Sequence, residues 1–139
     1  MYRHRVIYAD TDMAGVVYHG NYLRWFEAAR TAALYDAGLD IGKLHTDQGI
    51  VFAISECSLT FHRSARYGDV LEIYVFPVKS GPARMTLGYE VRANGQPELV
   101  VTGRTTFAAL DAESGKVLRL PAAMREAIER AMGAAREGA

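Results

Sequence analysis

The stretch that decides the fold is residues 8–30, YADTDMAGVVYHGNYLRWFEAAR. It opens with Asp10 and Asp12 in a segment that has neither helical nor strand period, then passes Gly15, His19 and Gly20. Asn21 is a residue type that caps helices, because its side chain accepts from first-turn amides. Tyr22, Trp25, Phe26, Ala29, Ala32 and Ala33 then recur at the spacing of one helix face, which predicts a helix over 22–37 closed by Gly38. That helix is about 25 Å long, and its alanines at 28, 29, 32 and 33 keep it slim enough for a sheet to wrap closely. A carboxylate held just ahead of a helix N-terminus can do acid–base or nucleophilic work, while the helix-end amides accept developing negative charge.

Working outward, residues 3–9 read as a short strand with Val6 and Tyr8 on the face of His4. After a mixed segment through Gly49, four strand-like runs follow at 50–62, 70–78, 84–93 and 98–110. They are separated by RSARYGD, KSGP and NGQP, each carrying glycine and the last two proline. No helix-length segment lies between these strands, so they pair antiparallel, as a meander or with simple reordering. Residues 121–136 read as a short helix with proline at its start and Met124, Ile128, Ala131 and Met132 at helical spacing. The class is α+β: an antiparallel sheet of about five strands needs cover for its apolar face, and helix 22–37 is the only long candidate. Residues 1–139 are expected to form one domain. The opposite face of the sheet is expected to be partly apolar, for a second copy to cover or to extend at an edge.

Sixteen basic and sixteen acidic residues cancel, so there is no global positive field for nucleic acid. Near-zero net charge gives little colloidal repulsion and favours self-association. Cys57 is the only cysteine, which rules out an intrachain disulfide; within AISECSLTF it reads as a buried structural thiol. No HExxH pattern or clustered His/Cys spacing suggests a metal, and GxGxxG and the P-loop are both absent. No cofactor is expected. The N-terminus MYRHRVIYAD has no long apolar segment and no stretch reaches membrane-spanning length, so a cytoplasmic address without membrane insertion is expected.

The pattern Y-x-D-T-D-x-x-G-V-V-Y-H-G-N-Y-L-x-W-F-E-x-A-R, with the later R-x-A-R-Y-G-D at residues 63–69, resembles the hotdog-fold acyl-CoA thioesterases. Within them it is most similar to the 4-hydroxybenzoyl-CoA thioesterase family, and there to the branch associated with the Tol–Pal cell-envelope system. The resemblance implies a hotdog fold, a homodimer or homotetramer with the site at the dimer interface, and Asp12 as catalytic carboxylate. It also implies that Gly15 lets the thioester approach the helix and that the backbone amide at His19 polarises the thioester. The His19 side chain matches the Tol–Pal-associated branch; the 4-hydroxybenzoyl-specific branch has tyrosine there. Glu27 matches a helix acidic position that contacts the acyl group in some members.

Hydrolysis of a thioester needs a nucleophile or activated water at the carbonyl carbon and donors for the oxygen that becomes negative. Asp12 can attack directly, giving a mixed anhydride, or deprotonate a water. Amides at residues 19–21 can serve the oxyanion. Thiolate leaves readily, so a strong general acid is not obligatory, and His19 can position water or carbonyl. Asp12 alone would read as a turn former; with Gly15, His19 and the whole motif it reads as catalytic, while Asp10 reads as the turn's cap. Tyr18 and Tyr22 can line an acyl pocket or pack, and Glu27 can meet the acyl group or pair with Arg24 or Arg30. Trp25 and Phe26 read as core. His4, His45 and His62 have no partner visible in sequence. Arg63 and Arg66 in one turn, and Lys79 with Arg84 around KSGP, are candidates to hold CoA, against the alternative of ordinary solvated surface. The expected activity is hydrolysis of a short-chain or aromatic acyl-CoA. The competing functions are an acyl-thioester hydratase or dehydratase, and a non-catalytic acyl-binding module.

Overall fold

Alternation along residues 84–93 puts Met85, Leu87, Tyr89, Val91 and Ala93 on one face, and all five are buried. What covers them is the helix of the opening motif. The computed structural model describes residues 1–137. Its elements are β1 (Tyr2–Arg5), a 3-10 turn (Tyr8–Asp10), α1 (Asn21–Asp36), α2 (Ile41–Gln48), β2 (Ile50–Phe61), β3 (Val70–Ser80), β4 (Arg84–Ala93), β5 (Leu99–Asp111), β6 (Val117–Leu118) and α3 (Ala122–Met132). The strands form one antiparallel sheet in the order β1-β3-β4-β5-β2, with β6 on the end of β5. Thus β3, β4 and β5 form a meander, while β2 is reordered to the far side of β5. A curled antiparallel sheet around α1 is the hotdog arrangement. Gly138 and Ala139, the end of the expected domain, lie outside the described residues.

The core lies between α1 and the concave face of β3, β4 and β5. Phe26, wholly buried, stacks on Tyr89 with ring centroids 4.1 Å apart and 7° between planes. Gly103 makes room for this pair: a Cβ there would sit 2.5 Å from the Phe26 ring. Tyr89 keeps its hydroxyl satisfied by a 2.8 Å bond with the buried Thr105.

Several boundaries differ from expectation. The first strand stops at Arg5 rather than Ala9, because the Ile7 amide donates to Asp10 Oδ2 at 2.9 Å and turns the chain into the 3-10 segment. Tyr8 is therefore 84% exposed instead of sharing a face with the buried Val6. Asn21 is not the cap of α1; Gly20 is, and Asn21 sits in the first turn, its side-chain Nδ2 donating to the Asp10 carbonyl at 2.8 Å. Helix α2 lies in the segment read as mixed. Only Leu44 is buried on it, so there is no period to detect, but Asp40 caps it through the Gly42 amide and Gly49 ends it at φ +66°.

α3 ends at Met132 rather than 136, and the tail then returns along β3, with the Arg136 and Glu137 amides donating to Pro77 and Val78 carbonyls. The Arg136 guanidinium covers the Phe76 ring at 3.4 Å. Thr86, Glu90, Arg92, Thr102 and Arg104 share that outer face with Tyr74, Phe76 and Val78, so it is partly apolar, with its apolar part mostly covered by the tail and the charged side chains. The uncovered apolar surface is instead on the concave side of β2. Pairing sets Ile54 opposite Phe107, Cys57 opposite Thr105 and Phe61 opposite Val101, all facing inward. Yet Ile54 is 47% and Phe61 51% exposed, and Cys57 is exposed, not the buried thiol expected. α1 lies over the neighbouring strands and leaves this strip bare.

Candidate active site

The Asp10–Gly20 segment is a loop whose stems are joined by a bridge between Thr11 and Val17. At its tip the Asp12 amide donates to the Val16 carbonyl at 2.9 Å, and the Gly15 amide donates to the Asp12 carbonyl at 2.9 Å. This tight reversal requires a left-handed residue, and Gly15 supplies it at φ +79°. Asp12 Oδ1 accepts from the Ala14 amide at 2.9 Å; among the described residues its other oxygen has no hydrogen-bond partner. The carboxylate is exposed and lines an open cleft with Tyr8, Thr11, Met13, Gly15 and Tyr67. Arg66 approaches the same turn, its guanidinium 3.9 Å from where a Cβ on Gly15 would be.

At the helix end, the Asn21 amide donates to the Tyr18 carbonyl at 3.0 Å and the Tyr22 amide to His19 at 3.4 Å. Among the described residues, the amides of His19 and Gly20 have no protein acceptor. Of the three amides expected to serve an oxyanion, those two are free and Asn21 is engaged. The His19 ring is exposed and lies against Tyr18 at 4.5 Å and Phe61 at 6.3 Å, at the margin of the bare strip on β2. Tyr18 is 48% exposed beside it. Tyr22 is buried, packed on Trp25 and Phe61. Burial pushes the Tyr22 phenol up to about 12, with the Asp69 carboxylate adding to the shift, so it remains a neutral donor at physiological pH.

Glu27 is not in the Asp12 cleft. It stands at a cavity of about 320 Å³ under the second half of α1, with Arg30, Thr31, Phe52, Phe107 and Met124 among the lining. Neither Glu27 nor Arg30 makes an ion pair among the described residues; Arg30 reaches the Tyr89 hydroxyl at 3.4 Å. The cavity's size and mixed apolar and polar walls suit a small organic group. Arg66 sits beside the cleft, while Arg63, just past the end of β2, donates its backbone amide to the Val100 carbonyl and is not among the cleft's lining. Lys79 and Arg84 lie at the opposite end of β3 and β4, roughly 30 Å along the strands.

Sequence reasoning missed His4. Its Nε2 lies 2.7 Å from Asp10 Oδ2, and its ring packs, tilted, against Trp25 at 4.6 Å. A pair six residues apart across a turn has no periodic signature. Phe61, Met13 and Tyr67 were missed as well, since an exposed apolar residue looks like core until its burial is known. Among the described residues no group of three His, Cys, Asp or Glu is placed to hold a metal, and no helix is long and apolar enough to cross a membrane.

Comparison with known proteins gives the family and the fold. Residues 6–128 match the sequence profile of the Thioesterase-like superfamily. A 1,4-dihydroxy-2-naphthoyl-CoA hydrolase from Thermosynechococcus vestitus is 31% identical over 100 residues, covering 72% of this chain and 68% of the relative. The acyl-CoA thioesterase YbgC of Haemophilus influenzae is 30% identical over 125 residues, covering 88% and 89%. The crystal structure of a 1,4-dihydroxy-2-naphthoyl-CoA thioesterase from Synechocystis superposes with a TM-score of 0.85 at 24% identity, covering 91% of this chain and 93% of that one, a likeness of fold.

Proposed function

Because this chain belongs to the Thioesterase-like superfamily and is a thioester hydrolase, we propose that it hydrolyses a short-chain or aromatic acyl-CoA, with Asp12 as the reacting carboxylate. The observation that carries this is the unengaged Asp12 oxygen at an open cleft, in a turn that leads directly into the free amides of His19 and Gly20. Asp12 acts on the carbonyl carbon either directly or by taking a proton from water. The carbonyl oxygen becomes negative and is met by helix-end amides, and the C–S bond then breaks. In the water route the thiolate takes up the proton that Asp12 received, and the acid is released. In the direct route the acyl group stays on Asp12 as a mixed anhydride until water hydrolyses it, freeing the acid and the carboxylate, with the thiolate protonated from solvent. His19 orients water or carbonyl at the edge of the site, and it is the residue that argues for the Tol–Pal-associated branch as the finer assignment.

Of the two acyl classes an aromatic one suits the cavity at Glu27, which has Phe52 and Phe107 among its walls and Glu27, Arg30 and Thr31 to meet ring hydroxyls. The cavity lies apart from the Asp12 cleft of the same chain, so this reading requires a second copy to bring the two together. Gly15 and Tyr18 flank the thioester. Tyr22 supports the site from within the core. Arg63 and Arg66 hold CoA phosphates; Lys79 and Arg84 reach a site only on a second copy. The uncovered strip of β2 and its free edge are where that copy docks, giving a homodimer or homotetramer in which one protomer completes the other's cleft. The residues 1–139 act as one domain, and an acyl-CoA substrate places it in the cytoplasm.

The test is thiol release from a panel of aliphatic and aryl acyl-CoA thioesters by wild type and Asp12→Asn. The variant keeps the wild-type melting temperature and loses about 10²- to 10⁴-fold in kcat. Undiminished turnover in Asp12→Asn would remove Asp12 from the chemistry.

A further inference from the structure

Of the titratable groups outside the cleft, one pair is built into the anchoring of the Asp12 turn. His4 Nε2 and Asp10 Oδ2 are 2.7 Å apart, with side chains only 22% and 14% exposed. A carboxylate can only accept, so the ring nitrogen carries the proton and donates, in a short charge-assisted bond. The other face of the contact is fixed too: the His4 ring packs, tilted, against Trp25, which is buried on α1, at 4.6 Å and 34°. One imidazole therefore ties β1, the first turns of α1 and Asp10 together.

Asp10 is the knot of the loop. Its Oδ2 also accepts from the Ile7 amide at 2.9 Å, and its carbonyl accepts from the Tyr18 amide at 2.9 Å and Asn21 Nδ2 at 2.8 Å. Asp12 follows two residues later. Among the described residues the one hydrogen bond to its carboxylate comes from Ala14 in the same turn, and none from outside the turn aims it. Its direction is inherited from the anchors of the loop. One anchor is the Val17 amide on the Ala65 carbonyl at 2.8 Å; the other is Asp10. Among the described residues His4 is the only side chain that donates to the Asp10 carboxylate.

We propose that His4 is a positioning residue: through Asp10 it fixes the loop that aims the Asp12 carboxylate at the thioester. The inference rests on the reading of Asp12 as the reacting group. It goes beyond that reading by assigning a role to a residue that touches neither substrate nor the reacting atoms. Loss of the His4 donor leaves Asp10 held only by backbone and Asn21, and the loop tip wanders. Binding of CoA, which depends on other surfaces, is largely unaffected, so the loss falls on kcat.

The experiment compares His4→Phe, which keeps a flat ring on Trp25 without the donor, with His4→Gln, which returns an amide nitrogen near the position of Nε2. Steady-state kinetics on the best acyl-CoA substrate are paired with amide hydrogen exchange. In His4→Phe, kcat falls about 10- to 100-fold, the scale of a small misplacement of a reacting group, while KM stays within about twofold. The amides of Asp12, Gly15 and Tyr18 exchange faster and those of β4 do not change. His4→Gln regains most of kcat and the slow exchange. Wild-type kcat and exchange in His4→Phe would overturn the proposal. If His4→Gln were impaired beside such an active His4→Phe, packing on Trp25 would be the operative contact. Faster exchange in β4 of His4→Phe would likewise overturn the proposal, since it would mark general loosening. If the wild type hydrolyses no acyl-CoA, the hydrolase reading fails, and the exchange comparison alone decides whether His4 holds the loop.

Discussion

The concave face of the sheet has two halves that were built by the same rule and ended differently. Over β3, β4 and β5, inward side chains meet α1: Phe26 is wholly buried on Tyr89, and Gly103 leaves the gap that lets the ring come down. Over β2 the inward side chains Ile54, Cys57 and Phe61 stay largely exposed, with Phe61 edge-on to Tyr22 and His19, although their register against β5 is as regular apart from one shift between Ile54 and Glu56. A helix of 16 residues on a strongly curled sheet covers one half only. The first half is self-sufficient, and it is where stability is concentrated. The second leaves apolar side chains open to solvent, and His19, beside Phe61, stands on its border. The buried core and the proposed site are therefore separated, so a substitution is expected to strike one with little effect on the other.

That separation can be broken experimentally. The largest structural effect is expected in the closed half: Phe26→Ala removes a stacked, fully buried ring and costs about 3–5 kcal/mol in chemical denaturation, enough to threaten folding of a domain this size. A loss under about 1 kcal/mol would mean the core is not organised around this pair. In the open half, Phe61→Asp is expected to weaken self-association by at least about tenfold in sedimentation, the effect of about 1.4 kcal/mol at an interface. The isolated protomer should remain folded. If Phe61→Asp leaves the association unchanged, the bare strip is not the contact between copies.

The smallest effect sharpens the comparison by lying outside both halves. Hydrogen bonds from the Ser114 and Glu113 amides hold the Asp111 carboxyl below the usual carboxylate range, in the turn between β5 and β6. Its folded value is lowered, so its contribution is present above the ordinary carboxylate value and is lost as pH falls through the lowered one. Asp111→Asn should make the acid side of the stability profile shallower by a small amount, read by thermal melts across pH 2–5, with turnover and association unchanged. A change in either would show that this turn communicates with the site.

Much of the fold was legible because it depends on periodicity. The 3.6 spacing of Tyr22, Trp25, Phe26 and Ala29 marked α1, and alternation marked β4 to the residue. Where burial was sparse, the reading had less to work with. α2 has one buried residue, and the strand expected at 3–9 was cut short by a side-chain bond from Asp10 that no spacing reveals. The candidate site divides in the same way. Asp12, Gly15 and Arg66 are close in space partly because they are turn residues, a property of residue type. Glu27 was placed with them by its motif, yet it stands at a different cavity, since helix rise carries it along α1 and away from the loop.

Sequence alone determined that an antiparallel sheet would wrap one slim helix, and that a carboxylate would stand on a glycine turn at the head of that helix. Local residue preferences and side-chain period suffice for both. Only the tertiary structure decided which inward-facing residues were left bare, which helix-end amides stayed free, and that His4 would reach Asp10. Each of these depends on how far one element extends over another, and that distance is set by sheet curl and packing rather than by the order of residues along the chain.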